Sequence, residues 1–398
     1  MLCLDGRSRS VPGACPLRRG DRATCGAMPY NTRGGLPGGT RFCCRGSRHV
    51  WRVMRRAMAA KGMRHGARST MSLEAMSLED MISERTHAAY SYVTRAQSAL
   101  GALGRLDVVR DGDRLVLPAR EYSRKDWAAC TGAEICQVGS FAPEAFEQAS
   151  IGHTGGLFWL VPTVGESSLR VADIRALSAR ATAVGAALIV DNSVPLSYGS
   201  RPLDMGASLC LESLVGVAET PVAPVVSISL ARPRRHHRKH RVSGLDLRDL
   251  VREGSQNLVA PDDETVRGIV CGIETLSIRS QMRMDHARAL AEYFRANRFI
   301  EQVIYPGLAS HPDHMAATSV LLHGFGPLLD VVPGDSCDAS ALVAELGYGL
   351  SDAFDAHALY SFGLANANGE ERLRIVAGLG NPLVFIDCFD RLLSEHHC

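Results

Sequence analysis

The chain has 398 residues, of which 46% are hydrophobic and 22% charged, and its formal net charge is +2. That length is enough for two domains, each with a core of its own. No window approaches 18 consecutive apolar residues, so we expect no membrane span. Only 6% of the residues are aromatic, so we expect cores built mainly from Leu, Val, Ile and Ala.

The first 70 residues are strongly basic, whereas the remainder is acidic. They hold 14 Arg and one Lys against Asp5 and Asp21, a net charge of +13 that leaves about −11 for residues 71–398. The acidic balance of the larger part argues against nucleic-acid binding. The basic stretch itself has three interpretations: an arm for nucleic acid, a targeting peptide, or disordered sequence translated upstream of the natural start. Its Cys and Gly content and the absence of an amphipathic pattern favour the third.

The cysteines are scattered along the chain without a pairing signature. Five of the 12 lie in the basic stretch, and their spacing fits no zinc pattern. We therefore expect neither a metal site nor a disulfide framework. A reducing, cytoplasmic compartment is the expectation that follows.

Beyond the basic stretch, the apolar pattern predicts helices alternating with short buried strands. Residues 77–106 predict one helix, because Ala and Leu recur there at a spacing of three to four residues. Residues 169–184 predict another. Strands are predicted at Arg114–Leu117, Ile135–Val138, Leu157–Val161, Leu188–Val190, Leu209–Leu211 and Pro224–Leu230. Elements that alternate at this spacing are typical of a mostly parallel α/β sheet.

A smaller unit is predicted to follow the sheet. The basic stretch Arg232–Arg241 is expected to be a solvated loop rather than an anion or nucleic-acid site. Thr265–Asn297 predicts a pair of long helices, and the remaining strands and closing helix predict an α+β unit. These are strands near Val303, Leu328 and Leu373–Val376, and a helix over Phe385–Leu393.

Three segments therefore make up the predicted domain organisation. Residues 1–70 are the basic leader, for which we expect no packed structure. Residues 71–255 form the large α/β domain, and residues 256–398 form the interdomain helix and the C-terminal α+β domain.

Polar residues end two neighbouring predicted strands. The apolar run that begins at Ala187 ends in Asp191-Asn-Ser193, and the next strand ends at Ser213. A strand that delivers an Asp to its carboxyl end, followed by one that ends in Ser, is the layout of a pyridoxal-phosphate (PLP) site. The chain resembles the Cys/Met-metabolism PLP-dependent enzymes, which include cystathionine synthases and lyases, over about residues 85–395. The matching segments are Leu169-Arg-Val-Ala-Asp-Ile174, Val190-Asp-Asn-Ser193, Pro202-Leu-x-x-Gly206-Ala207, Gly272-Ile-Glu-Thr-Leu276-x-x-Arg279, Tyr305-Pro-Gly-Leu308-x-Ser-His-Pro312 and Leu373-Arg-x-x-x-Gly378.

The resemblance implies both a fold and a function. The fold is the aspartate-aminotransferase-like fold type I, a large domain with a mostly parallel sheet plus a smaller α+β domain. The cofactor is PLP, which acts as an electron sink for carbanions of amino acids. The implied function is sulfur amino-acid metabolism, by elimination or replacement on cystathionine, homoserine esters, cysteine or methionine. Homodimers, homotetramers or hetero-oligomers with an intact paralogue are expected.

Four residues match the family's site positions, and each also has a simpler interpretation. Asp191 matches the acid that faces the pyridine nitrogen, or is a turn Asp after a strand. Tyr122 matches the aromatic that stacks on the ring, or packs in the core. Ser213 matches a phosphate ligand, or is an ordinary hydroxyl at a strand end. Arg374 matches the Arg that clamps the substrate carboxylate, or forms a surface salt bridge.

Three positions depart from the family pattern. Gly216 stands where the lysine that bonds the cofactor is expected. The glycine of the phosphate loop is missing near Val93-Thr94-Arg95, and Glu166 stands where an Asn is expected. Tyr122-Ser-Arg124 has the letters of the family's Tyr-x-Arg segment, but lies in the wrong place.

Only three lysines occur in the chain: Lys61, Lys125 and Lys239. None is near Gly216 in sequence, although Lys125 follows Tyr122 by three residues. Two hypotheses stay open: a PLP protein that still handles amino acids, and a non-catalytic homologue that serves as a pseudoenzyme or regulatory partner. Loss of the lysine amine favours the second, because that amine both anchors the cofactor and shuttles protons.

Overall fold

The computed structural model describes residues 76–122, 132–233, 241–242, 245–334, 340, 342, 344, 361–367 and 370–395. The expectation for residues 1–70 lies outside these residues, as does nearly all of the basic loop expected at 232–241.

A seven-stranded sheet forms the centre of the larger part of the fold. Its strands are Tyr90–Arg95 (β1), Arg114–Pro118 (β2), Glu134–Val138 (β3), Leu157–Pro162 (β4), Ala187–Asp191 (β5), Leu209–Ser213 (β6) and Val225–Leu230 (β7). Their order across the sheet is β1-β7-β6-β5-β4-β2-β3. Strand β7 is antiparallel to both of its neighbours, and the other pairs are parallel. The predicted mostly parallel α/β sheet is confirmed.

Helices connect these strands, as parallel neighbours require. They are Leu78–Thr86 (α1), Ala99–Leu106 (α2), Pro143–Ser150 (α3), Ile174–Val184 (α4), Leu196–Gly199 (α5), Pro202–Met205 (α6) and Leu247–Gly254 (α7). Side chains cap several of them: Asp173 accepts a hydrogen bond from the Ala176 backbone N–H at the start of α4. A short hairpin of Arg241–Val242 (β8) and Leu245–Asp246 (β9) precedes α7.

The prediction of one helix over residues 77–106 is wrong. Strand β1 separates α1 from α2 and pairs with β7 along its whole length. Two capping serines mark the two helix starts: Ser77 accepts from the Asp80 N–H and Ser98 from the Gly101 N–H. His87 ends α1 in the left-handed conformation, with φ of 58°. Sheet pairing therefore overrides the helical spacing of the alanines.

The core lies on both faces of the sheet, because successive side chains of a strand point to opposite faces. Leu115 and Leu117 belong to the cluster on the α2 side, and both are fully buried. Val116, between them, belongs to the opposite cluster with Trp159 and Phe146. Both faces are apolar, as expected for a sheet covered by helices.

A long helix leads into the smaller domain. The elements are Asp263–Ala296 (α8), Ile300–Ile304 (β10), His314–Val320 (α9), Leu328–Pro333 (β11), Ser361–Ala367 (β12), Glu370–Val376 (β13) and Pro382–Glu395 (α10). The four strands form an antiparallel sheet in the order β10-β11-β13-β12. The predicted helix pair is wrong, since α8 is continuous for 34 residues behind an Asp262 cap.

No helix in the described ranges has both the length and the apolar character needed to cross a membrane.

Helix α8 packs closely against the turn that follows β6. A Cβ placed on Gly272 would lie 2.1 Å from the Val217 carbonyl oxygen and 2.8 Å from Ala218 Cα. Only glycine allows this approach, because the obstructing atoms are backbone. The position of the turn therefore depends on the absence of a side chain at Gly272.

We expect Gly272→Ala to destabilise the protein by about 1–3 kcal/mol through overpacking, even though Ala favours a helix by about 1 kcal/mol. Equilibrium denaturation in urea measures this difference. The matched control is Gly216→Ala in the turn itself, where a Cβ would meet only Leu196 Cδ1 at 3.6 Å. It should change stability by less than about 0.5 kcal/mol. A wild-type midpoint for Gly272→Ala would show that the packing is looser than described.

Candidate functional site

The carboxyl ends of β5 and β6 are joined by a short chain of hydrogen bonds. Asp191 Oδ1 accepts from the Ser193 backbone N–H at 3.1 Å and from Ser193 Oγ at 2.6 Å. Ser193 Oγ in turn accepts from the Ser213 N–H at 2.9 Å. The Ser193 side chain thus bridges Asp191 and Ser213, the two polar positions predicted at the strand ends. Ser193 is the link that sequence reasoning did not single out.

Burial raises the pKa of Asp191 to about 6, although the two hydrogen bonds from Ser193 act in the opposite direction. The negative charges of Glu166 and Glu121 raise it further. The carboxyl group is therefore poised to change its protonation state near neutral pH. A strongly perturbed acid at a sheet edge is a candidate functional group.

A second buried acid, Glu212, precedes Ser213 and was missed by sequence reasoning. Its side chain is almost fully enclosed, with 2% of its surface exposed. Asn192 Nδ2 donates to Glu212 Oε1 at 2.7 Å, and Asn192 Oδ1 accepts from Thr163 Oγ1 at 2.8 Å. Burial raises the pKa of Glu212 to about 7 against the effects of Asn192 and the nearby Arg85 charge. Asn192, which follows β5, thus links the carboxyl end of β4 to that of β6.

Gly216 lies in the turn after β6, at the edge of a cavity of about 300 Å³. Ser193 and Ser213 also line this cavity, and Glu166 and Arg283 are charged members of the lining. Burial lowers the pKa of Arg283. A Cβ at Gly216 would meet Leu196 only at 3.6 Å, so the position has room for a side chain that the sequence does not supply.

Arg279 holds the Gly216 turn against α8. Its Nη2 donates to the Val217 carbonyl at 2.5 Å and to the Gly272 carbonyl at 2.8 Å. Its Nε donates to Thr275 Oγ1 at 3.0 Å. The Gly-x-x-Thr-Leu-x-x-Arg motif therefore has a structural role: it orients the turn in which Gly216 lies.

Tyr122 lies in the turn after β2 and is buried, with 9% of its surface exposed. It belongs to the same apolar cluster as Leu100 and Leu103 of α2. The described residues that line the cavity do not include it. The structure thus places Tyr122 in the core, which is the simpler of the two interpretations of its sequence position.

Arg374 on β13 is held by a carboxylate of the chain itself. Its Nε donates to Asp330 Oδ1 at 2.7 Å and its Nη2 to Asp330 Oδ2 at 2.8 Å. Asp330 is fully buried on β11. A surface salt bridge is therefore the wrong alternative for Arg374, since its side chain is only 18% exposed. Asp330, an acid inside an apolar strand, was the sequence signal for a buried partner.

The segment before Leu169 is fixed from both sides. Arg374 donates to the carbonyl oxygens of Glu166 and Ser167. The Ser167 N–H donates to Glu121 Oε2 at 2.9 Å. The Glu166 position, where the family pattern has Asn, is thus tied to the smaller domain through Arg374.

The expected position of the phosphate loop, near Val93-Thr94-Arg95, falls in a strand rather than in a loop. These residues lie within β1, where Val93 and Thr94 are buried. The turn into α2 spans residues 96–98 instead, and its Ser98 hydroxyl already accepts from the Gly101 N–H.

The Tyr-Pro-Gly-Leu-x-Ser-His-Pro motif also connects the two domains. It is followed by Asp313, whose carboxylate accepts from Arg170 Nη2 at 2.7 Å and from the Val171 N–H at 3.0 Å. The hydrogen bonds of Arg170 hold the pKa of Asp313 below its ordinary value, although burial acts against this. The motif therefore anchors the segment that leads into α4.

The sheet, its acidic carboxyl edge and the smaller antiparallel domain define an α/β protein of the fold type I, PLP-dependent class. Residues 67–332 match the family model for Cys/Met metabolism PLP-dependent enzymes. The chain belongs to this family, as its sequence predicted, and the family is PLP-dependent.

Relatives and solved structures agree with this assignment. The chain is similar to cystathionine gamma-lyase of Bos taurus, with 30% identity over 47% of this chain and 43% of that protein. It is also similar to a probable cystathionine gamma-synthase of Herpetosiphon aurantiacus, with 28% identity over 51% of this chain and 60% of that protein. The chain thus spans about half the length of these relatives. A crystal structure of an apo methionine gamma lyase from Micromonospora echinospora shares the fold, with a TM-score of 0.65 and 20% identity over 80% of this chain and 85% of that one.

The described residues do not fit a covalently held PLP. Gly216, which borders the cavity, supplies no amine, and Lys61, Lys125 and Lys239 lie outside the described residues. Tyr122 lies in the core, and the guanidinium of Arg374 is engaged by Asp330. Asp191 and Ser213 lie at the ends of two neighbouring strands, β5 and β6.

The buried acids predict a specific pH dependence of stability. A folded-state pKa above the unfolded one means that the folded state binds the proton more tightly, so stability falls as pH rises between the two values. For Glu212 that window runs from about 4.5 to about 7. We expect a loss on the order of 3 kcal/mol across it, measured by denaturant unfolding at several pH values.

Glu212→Gln should remove the part of the measured loss that Glu212 contributes, because the amide does not ionise, and should leave the part below about pH 6 that Asp191 contributes. Glu253→Gln, on the exposed side of α7, is the matched control and should keep the wild-type profile. If Glu212→Gln and wild type gave superimposable profiles, Glu212 would not be the titrating group.

Proposed function

We propose that this chain is a non-catalytic member of the Cys/Met metabolism PLP-dependent family. Gly216, at the position matched to the cofactor-bonding lysine, is the observation that carries the proposal. The proteins to which the chain is similar include a cystathionine gamma-lyase and a cystathionine beta-lyase. The family thus acts in sulfur amino-acid metabolism. We propose that this chain has lost the family's reaction.

The chemistry of the lysine explains why one position decides the question. A lysine amine serves these enzymes twice, as the nucleophile that bonds the cofactor and as an acid–base group that moves protons. General acid–base catalysis alone contributes about 10²–10⁴-fold in rate. Glycine supplies neither function, and the described cavity lining offers Arg283 but no amine. A guanidinium stays protonated and is a poor substitute.

Asp191 supports the descent of the site from an active one. Its place at the end of β5 is the one matched in sequence to the acid that faces the ring nitrogen. The competing candidate is a PLP-dependent lyase or transferase that receives its amine from another chain. Such a chain would act on an amino-acid substrate.

A partner chain is also part of this proposal. The turn that carries Gly216 exposes Val215, with 44% of its surface accessible, and α8 beside it exposes Ile278 at 65% and Met282 at 40%. Ile278 and Met282 are one turn apart on α8, and neighbouring exposed apolar side chains favour a protein partner. We propose a second copy or an intact paralogue as that partner, and regulation of the paralogue as the role.

The compartment proposed for the chain is the cytoplasm. Four described cysteines carry free thiols, namely Cys136, Cys210, Cys271 and Cys388. Free thiols persist most readily in a reducing environment.

The covalent link to PLP tests the proposal directly. We expect the full-length chain, incubated with PLP and reduced with borohydride, to show no cofactor adduct at a single defined residue by peptide mass mapping. Gly216→Lys should gain an adduct at position 216, though at lower occupancy than one per chain, because Tyr122 and residues 96–98 offer the cofactor little support.

Asp191→Asn in the Gly216→Lys background is the matched control, and should lower that occupancy further. A stoichiometric adduct of the wild-type chain at Lys125 or Lys239 would revive the enzymatic interpretation. So would an adduct of the wild-type chain that forms only together with a partner subunit.

A further inference from the structure

Arg374 and Asp330 face each other directly across two antiparallel strands of the smaller domain. Both bonds of the pair run in parallel, from Nε to Oδ1 and from Nη2 to Oδ2. This bidentate arrangement is the one by which a guanidinium recognises a carboxylate. The pair therefore has the geometry of a carboxylate site that is already filled.

The guanidinium has little capacity left for another ligand. Of its five N–H donors, two are committed to Asp330 and two more to the carbonyl oxygens of Glu166 and Ser167. Burial acts to lower the pKa of Arg374, but the bonds and charge of Asp330 outweigh it and raise the value. The cation is thus stabilised by the protein itself.

The pair lies beside the cavity that Gly216 borders. Leu328 and Val376, which are paired two positions along the same strands, line that cavity. Side chains two positions apart in a strand share a face of the sheet. Arg374 and Asp330 therefore lie on the cavity's side of the sheet, and Arg374 contacts the backbone of Glu166, which lines the cavity.

We propose that Asp330 occupies the guanidinium of Arg374 in place of an amino acid's α-carboxylate, so that the cavity excludes free amino acids as ligands. This inference deepens the proposed function and rests on it for the view that the cavity descends from a substrate site. Asp330 is then the residue that determines which ligands the cavity admits, because it excludes those that bind through a carboxylate.

The energetics favour the internal carboxylate over an external one. Asp330 is covalently part of the chain and already positioned, so its pairing costs no translational entropy. A ligand that displaced it would leave a fully buried carboxylate without a partner, which is strongly unfavourable. Only removal of the Asp330 charge opens the guanidinium to another carboxylate.

The experiment uses Asp330→Ser in the full-length chain without PLP. The probes are propionate and its neutral isostere propionamide, and binding is followed by calorimetry. We expect the variant to bind propionate at least about tenfold more tightly than wild type, as a regained charge-assisted pair would give. Neither protein should bind propionamide.

Asp330→Ser combined with Arg374→Ser is the matched control and should lose the gain, because the guanidinium is absent. If Asp330→Ser is poorly folded, its melting temperature should rise with propionate but not with propionamide at equal ionic strength. The absence of a propionate effect in both measurements would overturn the proposal. Binding of propionate by the wild-type chain, lost in Arg374→Ser, would overturn it too.

Because no PLP is present, this experiment is independent of the adduct test. The propionate experiment can contradict the role of Asp330 while the adduct test still supports the loss of the lysine chemistry. The adduct test can equally contradict that loss while the propionate experiment supports the role of Asp330.

Discussion

The ion pair between Arg374 and Asp330 is the interaction on which the arrangement of the site depends. It joins two strands of the smaller domain, and its remaining donors hold the backbone at Glu166 and Ser167, next to the larger sheet. A buried charge needs a partner of opposite sign, and here the chain supplies both. The result is a buried ion pair whose two charges are satisfied without a ligand.

Other polar groups near the carboxyl edge of the sheet are also paired within the chain. Asp191 is bonded by Ser193, and Asp313 neutralises Arg170. We propose that internal contacts of this kind maintain the family fold while Gly216 stands at the position matched to the cofactor-bonding lysine. On this proposal, packing and internal pairing maintain the scaffold, whereas the reaction needs an amine that Gly216 does not supply.

The sheet and its order of strands and helices were largely predictable, because buried strands such as β4 are apolar throughout and short polar turns separate them. The helix predicted over residues 77–106 failed because β1 is stabilised by β7, more than 130 residues later in the chain, and local spacing carries no sign of that pairing. For the same reason Asp330 was not predicted as the partner of Arg374, which lies 44 residues away. Asp191 and Ser213 were found because adjacent strand ends meet at one edge.

The rate of ammonia release from cystathionine tests the central claim most directly. The full-length chain supplied with PLP should release ammonia no faster than PLP alone at the same concentration, because the described site offers no amine to bond the cofactor or move protons. A rate well above that of free PLP, and abolished by Asp191→Asn, would contradict the account and show that an amine from elsewhere completes the site.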